Sequence, residues 1–305
     1  MDKAIRSPKT LTDAIRYYAD PDVTLALMVQ ARWPHGVICP TCGSADVHFI
    51  PTRRLWECKT KHAQRQFSVK VGTIFEDSPI GLDKWFVAIW LLNNCRNGVS
   101  SLELYRAIGV TQKTAWFMLH RIRAALHRGT LLKIGNGSPV EADETLIGGL
   151  ARNMHKDKRA KKITSPGVAG KSIVMGLLDR HGKNGVSQVI AHPVADRSKS
   201  TLQREVHEHV TPGNPVFTDE HSGYFGLNTD FQHEFVNHAE QYVRDNVHTN
   251  GLENFWSLLG RMLKGTYVSV EPFHLHRYVD EEAFRFNERK LTDGERFAET
   301  LGSVW

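Results

Sequence analysis

Two sets of side chains in this 305-residue sequence have the types and spacing to hold cations. The first begins with CPTC, which places the thiols of Cys39 and Cys42 on one tight knuckle, and continues at ECKTKH, which adds Cys58 and His62. Thiolates and an imidazole arranged as a tetrahedron are what a structural zinc ion takes. The second set is carboxylates on separate segments: Asp143 in VEADET, Asp219 in FTDEHSGY and Glu253 in NGLENFW. Hard oxygen donors that converge can hold two divalent ions, the apparatus for in-line displacement at phosphorus. Carboxylates crowded together without cations repel, which costs stability or raises their pKa values.

Each set has a plainer alternative. The chain has four cysteines, and three fall within twenty residues, which favours a metal site over a disulfide framework. The second half of the cluster departs from C-x2-C because Lys61 stands where a cysteine would close it. His48, His35 or no metal at all are the competing readings to His62. Cys95, inside an apolar helical stretch, is expected to be a small buried residue. Asn250 and Glu253 have the spacing of a capping box, in which the glutamate serves only the helix start. Taken locally, that role and a ligand role are not separable.

The elements that must position these groups can be read in order. VHFI and RRLWE are expected to be short strands forming the hairpin of a zinc ribbon. From Leu82 to His127 the pattern becomes helical: LDKWFVAIWLL, then LELYRAIGV and TQKTAWFMLHRIRAAL joined at Gly109. Helix, glycine turn and a helix opening on polar residues fit a helix-turn-helix, with Gln112, Lys113, His120, Arg121 and Arg123 as candidate DNA contacts. The alternative is a small bundle with solvated charges.

Beyond Pro139, PVEADETLIGG, KSIVMGLLDR and VSQVIAHPV read as three strands, SKSTLQREVHEHV as a helix, NPVFTDE and HEFVNH as strands, and NGLENFWSLLGRMLKG as a helix. This α/β order allows the first three strands to meander beside a parallel extension, with ligands expected at strand ends near the switch in strand order. Glu141, Glu144 and Glu220 flank the proposed ligands and are expected to be supporting or solvated groups. Phe255 and Trp256 are expected in the core, and His248 either near a scissile phosphate or capping a loop. Between the first two strands, ARNMHKDKRAKKITSPGVAGK carries seven Lys or Arg against one Asp, so Lys158, Arg159, Lys161 and Lys162 are read as phosphate contacts or a solvated loop.

VEADETLIGG, FTDEHSGY, HTNGLENFW and RYVDEEAFRFNER, in this order, resemble the D-D-E transposases of the IS-fifteen-ninety-five insertion-sequence group with its ISXO-two-like catalytic domain. CPTC and RQFSVKVGTIFEDS match the zinc ribbon of that group, so the resemblance runs from about Ala31 to about Arg289. It implies an RNase H-like α/β fold, a mixed sheet flanked by helices, preceded by a zinc ribbon and a helix-turn-helix-like module. It further implies two Mg2+ (or Mn2+) ions, a structural Zn2+, and DNA strand cleavage followed by strand transfer.

Carried onto this sequence, the catalytic and metal-binding triad becomes Asp143, Asp219 and Glu253, with Asn250 the other candidate for the third position. Members of the group often carry a basic residue two turns after the third carboxylate. Here that position is Gly260, and Arg261 or Lys264 is left to take the phosphate contact. The expected partners are transposon-end inverted repeats and target DNA, bound by a homodimer or larger assembly. A DNA-binding regulator with structural carboxylates, and an RNase H-like nuclease without strand transfer, are the rival functions.

The net charge of +6 agrees with a polyanionic partner. The longest apolar run, Trp85 to Leu92, is too short to cross a bilayer, and the N-terminal residues lack a signal-peptide core. A cytoplasmic, nucleoid-associated location without membrane contact is therefore expected. The domain boundaries read from the sequence are 1–30 for an N-terminal helical segment, 31–72 for the ribbon, 73–130 for the helix-turn-helix-like module, 131–292 for the catalytic domain and 293–305 for a tail.

Overall fold

A computed structural model describes residues 8–127, 133–148, 157, 170–236 and 247–305. The chain divides into two compact units: one ends at Leu126 and includes Lys290–Trp305, and the other is His127–Arg289.

In the first unit, α1 (Leu11–Tyr18) is capped by the Thr10 hydroxyl and α2 (Pro21–Arg32) by the Asp20 carboxylate, with proline at the first helical position, where no N–H is needed. Strands β1 (Val47–Ile50), β2 (Leu55–Cys58) and β3 (Gln66–Phe67) form an antiparallel ribbon in the order β1-β2-β3. Helix α3 (Leu82–Asn94) is buried along most of its length. Helix α4 (Ser101–Ile108) opens on a Ser100–Glu103 capping box and ends at Gly109 with φ 63°, the left-handed conformation that glycine adopts without strain. Helix α5 (Gln112–Leu126) follows at once, which is the helix, turn and helix read from the sequence.

Residues 293–305 are not a tail. Thr292 and Glu295 make a capping box that starts a helix over Asp293–Leu301, and this helix packs on α3. Phe297 stacks on Tyr18 with ring centroids 4.8 Å apart and meets Phe86 edge-on at 5.3 Å. The Asn93 amide donates to the Thr300 hydroxyl at 2.7 Å, and the Ile74 N–H donates to the Val304 carbonyl at 2.8 Å. The amphipathic spacing that buries Phe297 and Leu301 is too short to stand out without its partner.

The second unit is built on a five-stranded mixed sheet in the order β6-β5-β4-β7-β8. Strands β4 (Val140–Ile147), β5 (Ser172–Asp179) and β6 (Gln188–Val194) form an antiparallel meander. Strands β7 (Pro215–Asp219) and β8 (Gln232–Val236) extend the sheet in parallel from β4. Alternate residues sort to the two faces. Val140, Ala142, Met175 and Leu177 pack with Leu202 and Val206 of α6 (Lys199–His209). On the other face, Val174, Leu178, Val189 and Ala191 pack with Leu252, Phe255 and Leu259 of α7 (Asn250–Met262) and with Leu275 and Val279 of α8 (Leu275–Asn287). Arg285 is held between Glu281 and Glu282 at 2.6 and 2.8 Å, so the charges of DEEAFRF are paired inside this layer. The helix over 293–301, α9, belongs to the first unit.

Candidate functional site

Strand pairing sets the two aspartates side by side. Val140 and Glu141 of β4 stand opposite Val216 and Phe217 of the parallel β7, and the same register carried two residues on places Asp143 opposite Asp219. Residues opposite one another on neighbouring strands share a face, here the one covered by α7. Burial pushes Asp143 up to about 7; the Trp256 N–H works against this, and the Glu144 and Asp219 carboxylates add to it. Asp143 and Asp219 are hard oxygen donors of the kind a divalent cation takes, and its charge would relieve their repulsion.

Helix α7 brings the third carboxylate. The capping box expected at its start is absent: Thr249 is the cap residue and makes no side-chain cap hydrogen bond, which puts Glu253 one position too late. The helix start is served by Glu141 of β4, which accepts the Leu252 N–H at 3.0 Å. A Cβ on Gly251 would stand 2.8 Å from Glu141 Oε2, so glycine is what permits this approach. Glu141 is buried and also accepts from Arg180 Nε at 2.8 Å. It is a positioning group, not a solvated one. His248 faces Arg180 at 2.8 Å; burial, then Arg180, lower its pKa, while Glu141 and Glu253 raise it. Glu253 is thus left exposed with its carboxylate uncommitted to the cap.

Trp256 packs against the core, as expected, but is only partly buried. Its indole N–H donates to Asp143 Oδ2 at 2.9 Å. Room for the indole comes from Gly176, which pairs with Asp143 on β5; a Cβ there would lie 2.7 Å from Trp256 Cη2. Glu144 is also held, by Arg197 and by the Tyr224 hydroxyl at 2.7 Å, whereas Glu220 is exposed. The supporting roles of Trp256, Arg180, Tyr224 and Gly176 were missed in the sequence, although Trp256 and Tyr224 lie within ENFW and HSGY. Asp143, Asp219 and Glu253 do not offer oxygens all within 4.8 Å of one another.

The ribbon cluster is tighter. Cys39, Cys42, Cys58 and His62 offer donor atoms all within 4.8 Å, with Cys39 Sγ 3.4 Å from His62 Nε2 and Cys42 Sγ 3.6 Å from Cys58 Sγ. A zinc tetrahedron with bonds of about 2.0–2.3 Å has edges of roughly 3.4–3.8 Å, so these donors fit the ion. His62, rather than His48 or His35, completes the set.

Comparison with known proteins identifies both the ribbon and the unit that carries the carboxylates. Residues 135–287, half of the chain, match the ISXO2-like transposase domain. The chain belongs to the IS1595 family of transposases. Residues 21–64 of this transposase match the transposase zinc-ribbon domain. It is also 28% identical over 247 residues to an uncharacterized protein in transposable element ISH50 of Halobacterium salinarum, covering 78% of this chain and 81% of that one.

The candidate DNA contacts divide. Gln112 and Lys113 are exposed at the start of α5, where Gln112 Nε2 also donates to Ser101 Oγ at 2.8 Å. His120 packs against Trp116, with ring centroids 4.1 Å apart. Arg121 donates to the Ile74 and Glu76 carbonyls at 2.8 and 2.6 Å and lies over Phe117. Arg123 is 1% exposed, which corrects its reading as a surface contact: it lies on the buried face with Leu119, Ile122 and Leu126. Arg261 and Lys264 are exposed beyond α7's buried face. Lys158, Arg159, Lys161 and Lys162 lie outside the described residues. No helix among the described residues is long and apolar enough to cross a membrane.

Proposed function

We propose that this transposase binds the inverted repeats at its element's ends, cleaves DNA strands there and transfers the freed ends to target DNA. The reading rests on one observation above the rest: the parallel register that sets Asp143 against Asp219 beneath the helix carrying Glu253, in a chain of this family. Asp143, Asp219 and Glu253 are the residues that would hold two Mg2+ or Mn2+ ions. When bound, such ions activate the attacking water or sugar hydroxyl and stabilise the leaving oxygen.

The chain's own contribution is positional. Trp256 fixes one oxygen of Asp143, and the Glu141–Arg180 pair anchors the start of the helix that presents Glu253. Tyr224 and Arg197 hold Glu144 beside the aspartates, so that its charge is satisfied from the other side. Gln112 and Lys113, with His120 two turns further along, are the α5 groups offered to base edges or phosphates, and Arg261, Lys264 and the basic segment around Lys158 to Lys162 are further phosphate contacts. Paired ends imply two or more copies of the chain on DNA.

The test uses linear DNA carrying the element's own ends. Asp143→Asn, Asp219→Asn and Glu253→Gln are each expected to abolish Mg2+-dependent cleavage while keeping end binding. Normal cleavage by any one of them removes that residue from the triad. Cleaved but never joined products from the wild type would make it a nuclease without strand transfer.

A further inference from the structure

A second group of metal-ligating side chains lies on the opposite face of the sheet from the aspartates. His192 of β6 pairs with Met175, which faces α6, whereas Asp143 pairs with Gly176 on the α7 face. Glu205 and His209 stand four apart on α6 and so share one side of that helix. Glu205 Oε2 is 2.7 Å from His192 Nε2 and 3.7 Å from His209 Nε2, and the three ligand atoms all lie within 4.8 Å of one another. Glu205 and His209 are each 5% exposed, while the His192 side chain is one-quarter exposed and gives a way in from solvent. The other Glu205 oxygen, Oε1, accepts from Arg204 at 2.8 Å, so the arginine does not occupy the oxygen that faces the imidazoles.

We infer that His192, Glu205 and His209 form a binding site for a divalent transition-metal ion of the zinc class, separate from both the ribbon and the carboxylates of β4 and β7. Bonds of about 2.0–2.2 Å to nitrogen and oxygen place tetrahedral ligand atoms roughly 3.3–3.6 Å apart, and the two observed separations bracket that span. Two imidazoles and one carboxylate select zinc, cobalt or nickel over magnesium or calcium, which prefer oxygen-only shells. Three protein ligands leave an outer position for water. A bound ion would tie the edge strand β6 to the last turn of α6, a few residues ahead of the strand that ends in Asp219.

Zinc content of the full-length protein, measured by mass spectrometry after equilibration with zinc in excess Mg2+ and removal of free metal, tests this. The wild type is expected to retain one equivalent more than His192→Gln or Glu205→Gln, and Cys42→Ser to lose the ribbon ion while keeping this one. Loading with Co2+ gives a second readout: in Cys42→Ser the thiolate charge-transfer absorption falls and the weaker bands of a nitrogen and oxygen site remain. His192→Gln, at the solvent edge of the sheet, is expected to remove those bands and keep the thiolate ones. A wild type that carries ribbon zinc alone, or the same zinc content in wild type, His192→Gln and Glu205→Gln, overturns the site.

Discussion

At the scale of single residues, the indole N–H of Trp256 is the contact that orients Asp143. Trp256→Phe keeps most of the apolar packing and removes only this donor. Losses of groups that support a metal ligand typically cost about 10–100-fold in activity or metal affinity. Single-turnover cleavage is therefore expected to fall by that order with little change in end binding. Asp143 also makes stability depend on pH. Burial raises its folded pKa to about 7, above the unfolded value, so the folded state binds more protons between the two. Metal-free protein is then expected to lose stability as pH rises from about 4 to about 7 and to level off above that, by up to roughly 4 kcal/mol for a shift of this size. Asp143→Asn should remove that slope, as read by urea denaturation in chelator at pH 5 and pH 8, and should be more stable than wild type at the higher pH.

At the scale of elements, the seating of α7 on the sheet decides whether Glu253 can meet the aspartates. Two glycines permit that seating, Gly176 beneath Trp256 and Gly251 beside Glu141. Gly176→Val would drive a side chain into the indole and Leu252, whose atoms already stand within 3 Å of an added Cβ. Overpacking of this kind costs about 1–3 kcal/mol. A fall in Tm is expected, and, on the proposed role of Glu253, a larger proportional fall in cleavage, because the displaced helix carries that residue. Glu253→Gln separates the two roles weighed for that glutamate. It is expected to leave the unfolding free energy within about 0.5 kcal/mol of wild type, since the residue is exposed and caps nothing, while cleavage is lost.

At the scale of the whole molecule, the chain leaves its first unit at Leu126, builds the second, and returns at Lys290. The closing helix α9 inserts Phe297 among Tyr18, Phe86 and Trp90. Phe297→Ala is expected to destabilise the first unit by about 3–5 kcal/mol, as large-to-small changes at buried aromatics do. Near-ultraviolet circular dichroism and urea unfolding of the full chain would show the loss. The sequence alone gives no hint that these last residues belong with the first ones, because a nine-residue amphipathic helix reveals its partner only once it has packed.

The ribbon, the helix, turn and helix, the succession of strands and helices, and the elements that carry Asp143, Asp219 and Glu253 were legible because each rests on local spacing: a knuckle of cysteines, a glycine between helices, apolar runs between turns. The sequence therefore determined which side chains were available for chemistry and on which element each one sits. What Glu253 does at the start of its helix was not legible, since a capping box and a free carboxylate have the same spacing. Nor were the burial of Arg123, the hold of Trp256 on Asp143, or the meeting of His192 with Glu205 and His209. Tertiary structure decided these, because they depend on strand register and on how closely a helix lies on a sheet. Glu141, more than a hundred residues away, accepts the Leu252 N–H that a cap side chain would have taken, and Gly251 leaves the space for it.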